Sequence, residues 1–386
     1  MKKIYLDTAA TTPLSEKAFG AMLPFFKDAF YNASAAYSDA GKVARALREF
    51  RSRVAGILNA QASEIIFTSG ASESNNTAIK GVFAKIFRSK KHFVTTAIEH
   101  ESVLKTAEYL GTFGIETTYL PVDSSGRISL SDLKKSIRND TALVSIMLVN
   151  NEIGTIEPVE EAAEICRERG VLLHTDATQG IGHLAIDVKK LGVDFLSLSA
   201  HKFHGPKGSG LLYVKSGSSS GSLVHGGPQE SGRRAGTENL PGIAGLTSAL
   251  EDCARAYAEK GEELRKMQNK FVRSLYQIEG LEFNGSLEER IPGNLNFRIG
   301  GKSPVNGESL RIMLENRGIL VSKGSACNTG ADSPSHVLLA MGKSAEEARN
   351  SIRISFDLTT RNEDISEAAS IIAESAEFLR HERIFA

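Results

Sequence analysis

Cysteine is scarce in this chain. Three residues in 386, Cys166, Cys253 and Cys327, stand far apart and are odd in number. Such a set excludes a disulfide framework, offers no zinc-ligand spacing, and points to a reducing, cytoplasmic setting. Net charge is lacking as well, because 46 Lys+Arg balance 46 Asp+Glu. A neutral chain does not gather nucleic acid or acidic membrane surfaces by bulk charge, so no direct nucleic-acid binding is expected. No apolar run is long enough to cross a bilayer, and the opening Met1 to Asp7 has no signal-peptide core, so neither a membrane span nor a leader is expected. Internal repeats and low-complexity segments are missing too, apart from a short Ser/Gly loop at 216–222. What remains, 41% hydrophobic and 24% charged, is ordinary globular composition, long enough for a large α/β domain plus a smaller one.

Apolar periodicity places short strands at 4–6, 64–68, 92–97, 116–122, 142–149, 171–174 and 195–198. Helical spacing lies between them at 15–30, 42–58, 73–87, 102–110, 130–137 and 159–169. Strands alternating with helices predict a mostly parallel sheet with helices on both faces. A long helical stretch at 239–277 bridges to a smaller α+β region, with strands near 281–283, 294–299, 319–321 and 352–356 and helices at 307–317, 334–341 and 363–380. The boundaries expected are 15–260 for the large domain, and 1–14 with 261–386 for the small one.

Ligands bind such sheets beyond the carboxyl ends of the strands, and the chemically notable residues fall there. Lys202 stands just past the run 193–198, beside Ser197, Ser199 and His201 and before Gly205-Pro206. Partial desolvation makes such an amine a better nucleophile. Lysine, hydroxyls and histidine together fit a Schiff base to pyridoxal phosphate with its phosphate nearby; a strand-ending lysine beside a Gly/Pro turn is the plainer alternative. Ser69-Gly70-Ala71-Ser72 joins a strand to a helix, where backbone N–H groups and the Ser72 hydroxyl form an anion site, or else simply cap the helix. Asp176 follows a strand and suits either a pyridinium nitrogen or a helix cap, with Gln179 reaching the same side. His100 and Asn151 also end strands. Cys327 sits in a loop of small residues, 323–334, where a thiol is reactive, whereas Cys166 and Cys253 fall in helical stretches. Arg353 opens a strand of the small domain and suits a carboxylate or a surface salt bridge.

In order and number these motifs resemble a cysteine desulfurase of the class V pyridoxal-phosphate aminotransferase superfamily, fold type I. The resemblance runs through Tyr5-Leu6-Asp7, 68–76, Glu99-His100, Asn150-Asn151-Glu152-Ile153-Gly154, His174-Thr175-Asp176, 199–202, 233–239, Gly324 to Cys327 and Arg353. It implies that Lys202 bonds the cofactor. His100 stacks on the ring, Asp176 meets the ring nitrogen, and Asn151 and Gln179 approach the phenolic oxygen. Ala71 (through its backbone), Ser72, Ser199 and His201 hold the phosphate. Thr237 is implied to reach the neighbouring subunit's phosphate, hence a homodimer. Arg353 with Asn151 binds the carboxylate of L-cysteine, and Cys327 carries the persulfide to an acceptor protein serving iron–sulfur cluster, thio-tRNA or DNA phosphorothioate synthesis.

The segment 327–342 resembles the long-loop, iron–sulfur and nitrogen-fixation type. The chain ends soon after the 363–380 helix, which implies a specialised member without the scaffold-docking extension of housekeeping relatives. Thr8, Ala33, Ser38 and Asp357 depart from the family's usual Asn, Pro, His and Gly, and leave pocket detail and partner choice open. The competing readings are another class V enzyme, an aminotransferase or selenocysteine lyase, and a non-catalytic adaptor for sulfur-transfer partners.

Overall fold

The apolar runs become twelve strands among the residues described by this computed structural model, which are 2–86, 89–218, 220–324 and 333–382. In chain order they are β1 (Ile4–Tyr5), β2 (Ile65–Thr68), β3 (His92–Thr96), β4 (Glu116–Leu120), β5 (Thr141–Ser145), β6 (Leu172–Asp176), β7 (Phe195–Ser199), β8 (Gly210–Val214), β9 (Leu281–Asn284), β10 (Asn294–Ile299), β11 (Ile319–Leu320) and β12 (Ile352–Ser355). Seven of them form one sheet in the order β2-β8-β7-β6-β5-β3-β4. It is parallel except for β8, which runs antiparallel to both β2 and β7. The fold class expected from the alternation is the one observed.

The sheet is apolar on both faces, as buried parallel strands require. Side chains alternate across it with a period of two. Ile65 and Phe67, Val94, Val144, Leu196, Leu211 and Tyr213 enter one core. Their neighbours Ile66, Phe93, Leu143, Phe195, Leu212 and Val214 enter the core on the opposite face. β10 pairs with β9 and β12 in an antiparallel sheet, and β1 pairs with β11. A third cluster gathers Ile4 and Leu6 with Phe271, Phe297, Leu314, Ile354 and Ile372. One helix, Leu240–Leu275, about 54 Å long at 1.5 Å per residue, spans the two regions. Its start buries Leu246 and Leu250 in the first core, and its end buries Leu264, Phe271 and Leu275 in the third.

Some boundaries differ from expectation. The stretch 15–30 divides into Glu16–Met22 and Pro24–Lys27, because a proline has no N–H to donate and its ring crowds the preceding turn. The 42–58 helix starts earlier, at Ser38. The strand expected at 142–149 closes at Ser145, although Ile146 and Leu148 still donate to the carbonyls of His174 and Asp176. The helix expected at 334–341 is His336–Ala340, capped by the Ser335 hydroxyl.

Candidate active site

β7 runs straight into the turn that carries Lys202. Ala200–Lys202 form a single 3-10 turn, closed by Phe203 and Gly205 donating to the Ala200 carbonyl. A side chain at Gly205 would meet the Ala200 Cβ at 2.7 Å, so the tightness of this turn demands glycine. The Lys202 ammonium donates to the carbonyls of Ala9 (2.6 Å) and Ala10 (2.8 Å). Those carbonyls belong to a strap, residues 7–13, tied to the far sheet by Thr8 and Ala9 donating to Ser355.

Around Lys202 opens a cavity of about 490 Å³. Ala71, Ser72, His100, Asn151, Asp176, Gln179, Ser199, His201 and Arg353 all line it, so with Lys202 ten candidate residues from six stretches of the chain meet at one place. Asp176 is the last residue of β6 and no helix follows it, so it does not cap one. The residue is 6% exposed, and its carboxylate accepts from Asn75 Nδ2 at 2.7 Å and from the Thr178 N–H at 3.0 Å. Asn75 Nδ2 also donates to Ser102 Oγ, which bonds His100 Nδ1 at 2.9 Å. The Ser102 backbone N–H donates to the same Nδ1, so that nitrogen carries a lone pair and the ring proton sits on Nε2. His174, one strand position from Thr175, is held by Ser145 and Ser197, and burial pushes it down to about 4.

The helix Ala71–Ile86 opens at the cavity, and its first N–H groups have no partner within the helix. Burial would raise the Glu73 carboxyl there, but Arg234 and the Ser69 N–H bond it and bring it below its usual value. Burial, with Lys202 and Lys207 adding to it, pushes His201 down to about 4. It is neutral at pH 7, and Thr11 Oγ1 meets its Nδ1 at 3.1 Å. Gln179 donates to the Ala9 carbonyl at 3.0 Å. Arg353 is 1% exposed, so the surface-bridge alternative fails; its NH2 meets Asp7 at 2.7 Å and its NH1 the Asn151 carbonyl at 2.9 Å. Its buried Nε has no hydrogen-bond partner among the described residues.

Thr237 is exposed and lies outside this cavity. Cys327 falls outside the described residues. Reasoning from the sequence missed the carbonyls of Ala9 and Ala10, and it gave no role to Asn75, although Asn75 stood in a quoted motif. Carbonyls carry no side-chain signal, and a buried Asn on a helix reads as packing.

This donor set fits pyridoxal phosphate. It offers an amine for the aldehyde, an ionisable carboxylate gripped by two donors for the ring nitrogen, and hydroxyls, helix N–H groups and a neutral imidazole for the phosphate. The aminotransferase class-V family model matches residues 4–367. A cysteine desulfurase IscS of Dictyoglomus turgidum is 43% identical over 98% of this chain and 96% of its own. Among solved structures, a NifS-like protein superposes with TM-score 0.91 at 36% identity, over 98% of this chain and all of that one. SspA in complex with cysteine superposes with TM-score 0.81 at 39% identity, over 92% of this chain and 98% of that one. With that coverage and a site that fits the cofactor, the chain belongs to aminotransferase class V and, within it, to the cysteine desulfurases, which are pyridoxal-phosphate enzymes.

Proposed function

We propose that this chain removes sulfur from L-cysteine at the Lys202 cavity and delivers it from Cys327 to an acceptor protein. The observation that carries the reading is the meeting of nine candidate residues around Lys202 in one cavity. Pyridoxal phosphate, when bound, supplies the electron sink for the pair left at the substrate Cα. Asp176 would meet the ring nitrogen, and Asn75 and Thr178 keep its carboxylate oriented. Ala71, Ser72, Ser199 and His201 would hold the phosphate, His100 would stack on the ring, and Asn151 and Gln179 would stand by the phenolic oxygen. Arg353, fixed by Asp7 and the Asn151 carbonyl at the cavity wall, binds the substrate carboxylate together with Asn151. Lys202 takes the Cα proton. The Cys327 thiolate attacks the substrate sulfur, the Cβ–S bond breaks, protons return to Cα and Cβ, and alanine leaves a persulfide on Cys327.

The working form in this reading is a cytoplasmic homodimer, with Thr237 serving the partner's site. What supports it is that Thr237 is exposed on its own subunit and does not line its own cavity. The chain divides at 15–260 and at 1–14 with 261–386; the separate third cluster, built from Ile4, Leu6 and residues from Leu264 onward, supports that division. No helix among the described residues is long and apolar enough to cross a membrane.

The test combines labelling and product analysis. Borohydride should fix the cofactor onto Lys202, and L-cysteine should yield equal alanine and sulfide in the presence of a reductant. Label on Lys207, or a colourless protein that ignores pyridoxal phosphate, would defeat the reading.

A further inference from the structure

His204, two residues beyond Lys202, is the junction of three segments. Its backbone N–H donates to Thr12 Oγ1 at 2.7 Å, and its carbonyl accepts from Ser15. Thr12 in turn donates to the His201 carbonyl through both its N–H (2.8 Å) and its hydroxyl (2.9 Å). The His204 ring then reaches outward in two directions. Nδ1 meets the Pro13 carbonyl at 3.1 Å, and Nε2 meets Asp357 Oδ2 at 3.0 Å. Both partners are acceptors with no proton to give, so both ring nitrogens donate and the ring is an imidazolium. Asp357 is fixed by the Thr359 N–H (2.8 Å) and hydroxyl (2.6 Å). It lies two residues past Ser355, which holds Ala9, and four past Arg353.

The strap whose Ala9 and Ala10 carbonyls receive the Lys202 ammonium therefore runs between two anchors, the Lys202 turn on one side and the end of β12 on the other. The His204–Asp357 pair joins those anchors directly. His204 also sits at φ 63°, a left-handed conformation unfavourable for a non-glycine residue and maintained by its surroundings.

We propose that His204 and Asp357 form an ion-pair clamp that positions Lys202 by locking its turn and the strap to the end of β12, and that the clamp opens when the His204 ring gives up its second proton. The pair is largely buried, with side chains 18% and 14% exposed, so it is screened less than a surface bridge. Burial acts to lower His204, but Asp357 more than offsets this and the ring is raised above 6.5. Burial acts to raise Asp357, but His204 and Thr359 hold it at about 2. The signs agree. A raised histidine stabilises below its unfolded value and loses that contribution as pH rises through its folded one, whereas a depressed carboxylate loses its own only as pH falls toward 2. The clamp is thus closed at neutral pH and opens on the alkaline side. Among the described residues, the other titratable groups around it are Glu16, His183, Lys202, Asp252 and Cys253, which with His204 and Asp357 line a second cavity of about 420 Å³, and Tyr5, which feels the Asp357 charge. Burial keeps His183 below its usual value and pushes Cys253 up to about 12, so neither charges in the neutral range.

The inference rests on Lys202 being the cofactor lysine, and the test separates the two. Nitrogen-15 NMR of the histidines, with His204 assigned by its loss in His204→Gln, should show both ring nitrogens protonated at pH 7. In the holoenzyme, Asp357→Asn should shift the alkaline limb of borohydride incorporation at Lys202, and of kcat, to lower pH by about one unit. His204→Gln with Asp357→Asn, a neutral hydrogen-bonded pair, should remove that limb. A singly protonated His204 at pH 7, or an Asp357→Asn protein with lowered stability but an unshifted Lys202 profile, would overturn the clamp. If Asp357→Asn does not fold, the ring-protonation measurement on the unsubstituted protein decides. Borohydride label on another lysine in the unsubstituted protein would defeat the functional reading and leave the ring-protonation result standing.

Discussion

Two of the three thiols are unreactive by position. Burial pushes both Cys166 and Cys253 up to about 12, so neither is a thiolate at neutral pH. Cys166→Ser and Cys253→Ser should therefore turn over L-cysteine near the wild-type rate, with modest losses of stability. Cys327→Ser should bind cofactor and substrate yet release little alanine and no sulfide, and mass spectrometry should find no sulfur adduct. Wild-type alanine production by Cys327→Ser, or an adduct on Cys166, would return the aminotransferase or lyase reading. A second prediction at this scale concerns His174, which is buried between two serine hydroxyls and held down at about 4. A depressed histidine contributes stability above its unfolded value of about 6.5 and loses it as pH falls toward 4. The urea midpoint of the apo-protein should fall across that interval, and His174→Gln should flatten the slope. An unchanged slope would show that other groups carry the acid sensitivity.

Among the elements, the segment after residue 228 depends on one buried carboxylate. Glu230 takes two bonds from Arg51, at 2.6 and 2.7 Å, and accepts from the Phe67 N–H at 3.0 Å. It thereby pins its segment to β2 and to the helix Ser38–Ile57, while its own backbone sits at φ 48°. Removing one partner of a buried pair leaves the other charge uncompensated, at about 3 kcal/mol. Glu230→Ala should lose roughly that much in urea unfolding and, since this segment leads to Thr237, should also retain cofactor less well. Stability within 0.5 kcal/mol of wild type, the roughly neutral range for surface changes, would mean that the pair is not a structural anchor.

For the whole molecule, the expectation is a dimer whose sites are completed across the interface. Sedimentation should give twice the 41.6 kDa chain mass. Thr237→Ala should remain dimeric while releasing cofactor faster on dialysis. A cofactor-loaded monomer with full activity would contradict the shared site.

The sequence by itself determined six of the sheet's seven strands, their two-faced burial and nine of the ten residues that meet at the Lys202 cavity, because each is announced locally. An apolar run sets a strand, and a polar residue just past it marks the sheet's carboxyl edge, as at His100, Asn151, Asp176 and Lys202. Gln179 and the Ser69–Ser72 turn follow from the same edge rule. Arg353 was singled out too, but its local signal fitted a surface bridge equally well, and only the folded chain buries it against Asp7. Tertiary structure also decided what the strap does. The carbonyls of Ala9 and Ala10 are invisible as side chains, and they reach Lys202 across more than 190 residues of sequence. Asp357 likewise reads as a mere departure in the sequence. It becomes a partner because the antiparallel small sheet delivers the end of β12 to His204, a pairing set by the packing of two distant segments and by no pattern within either.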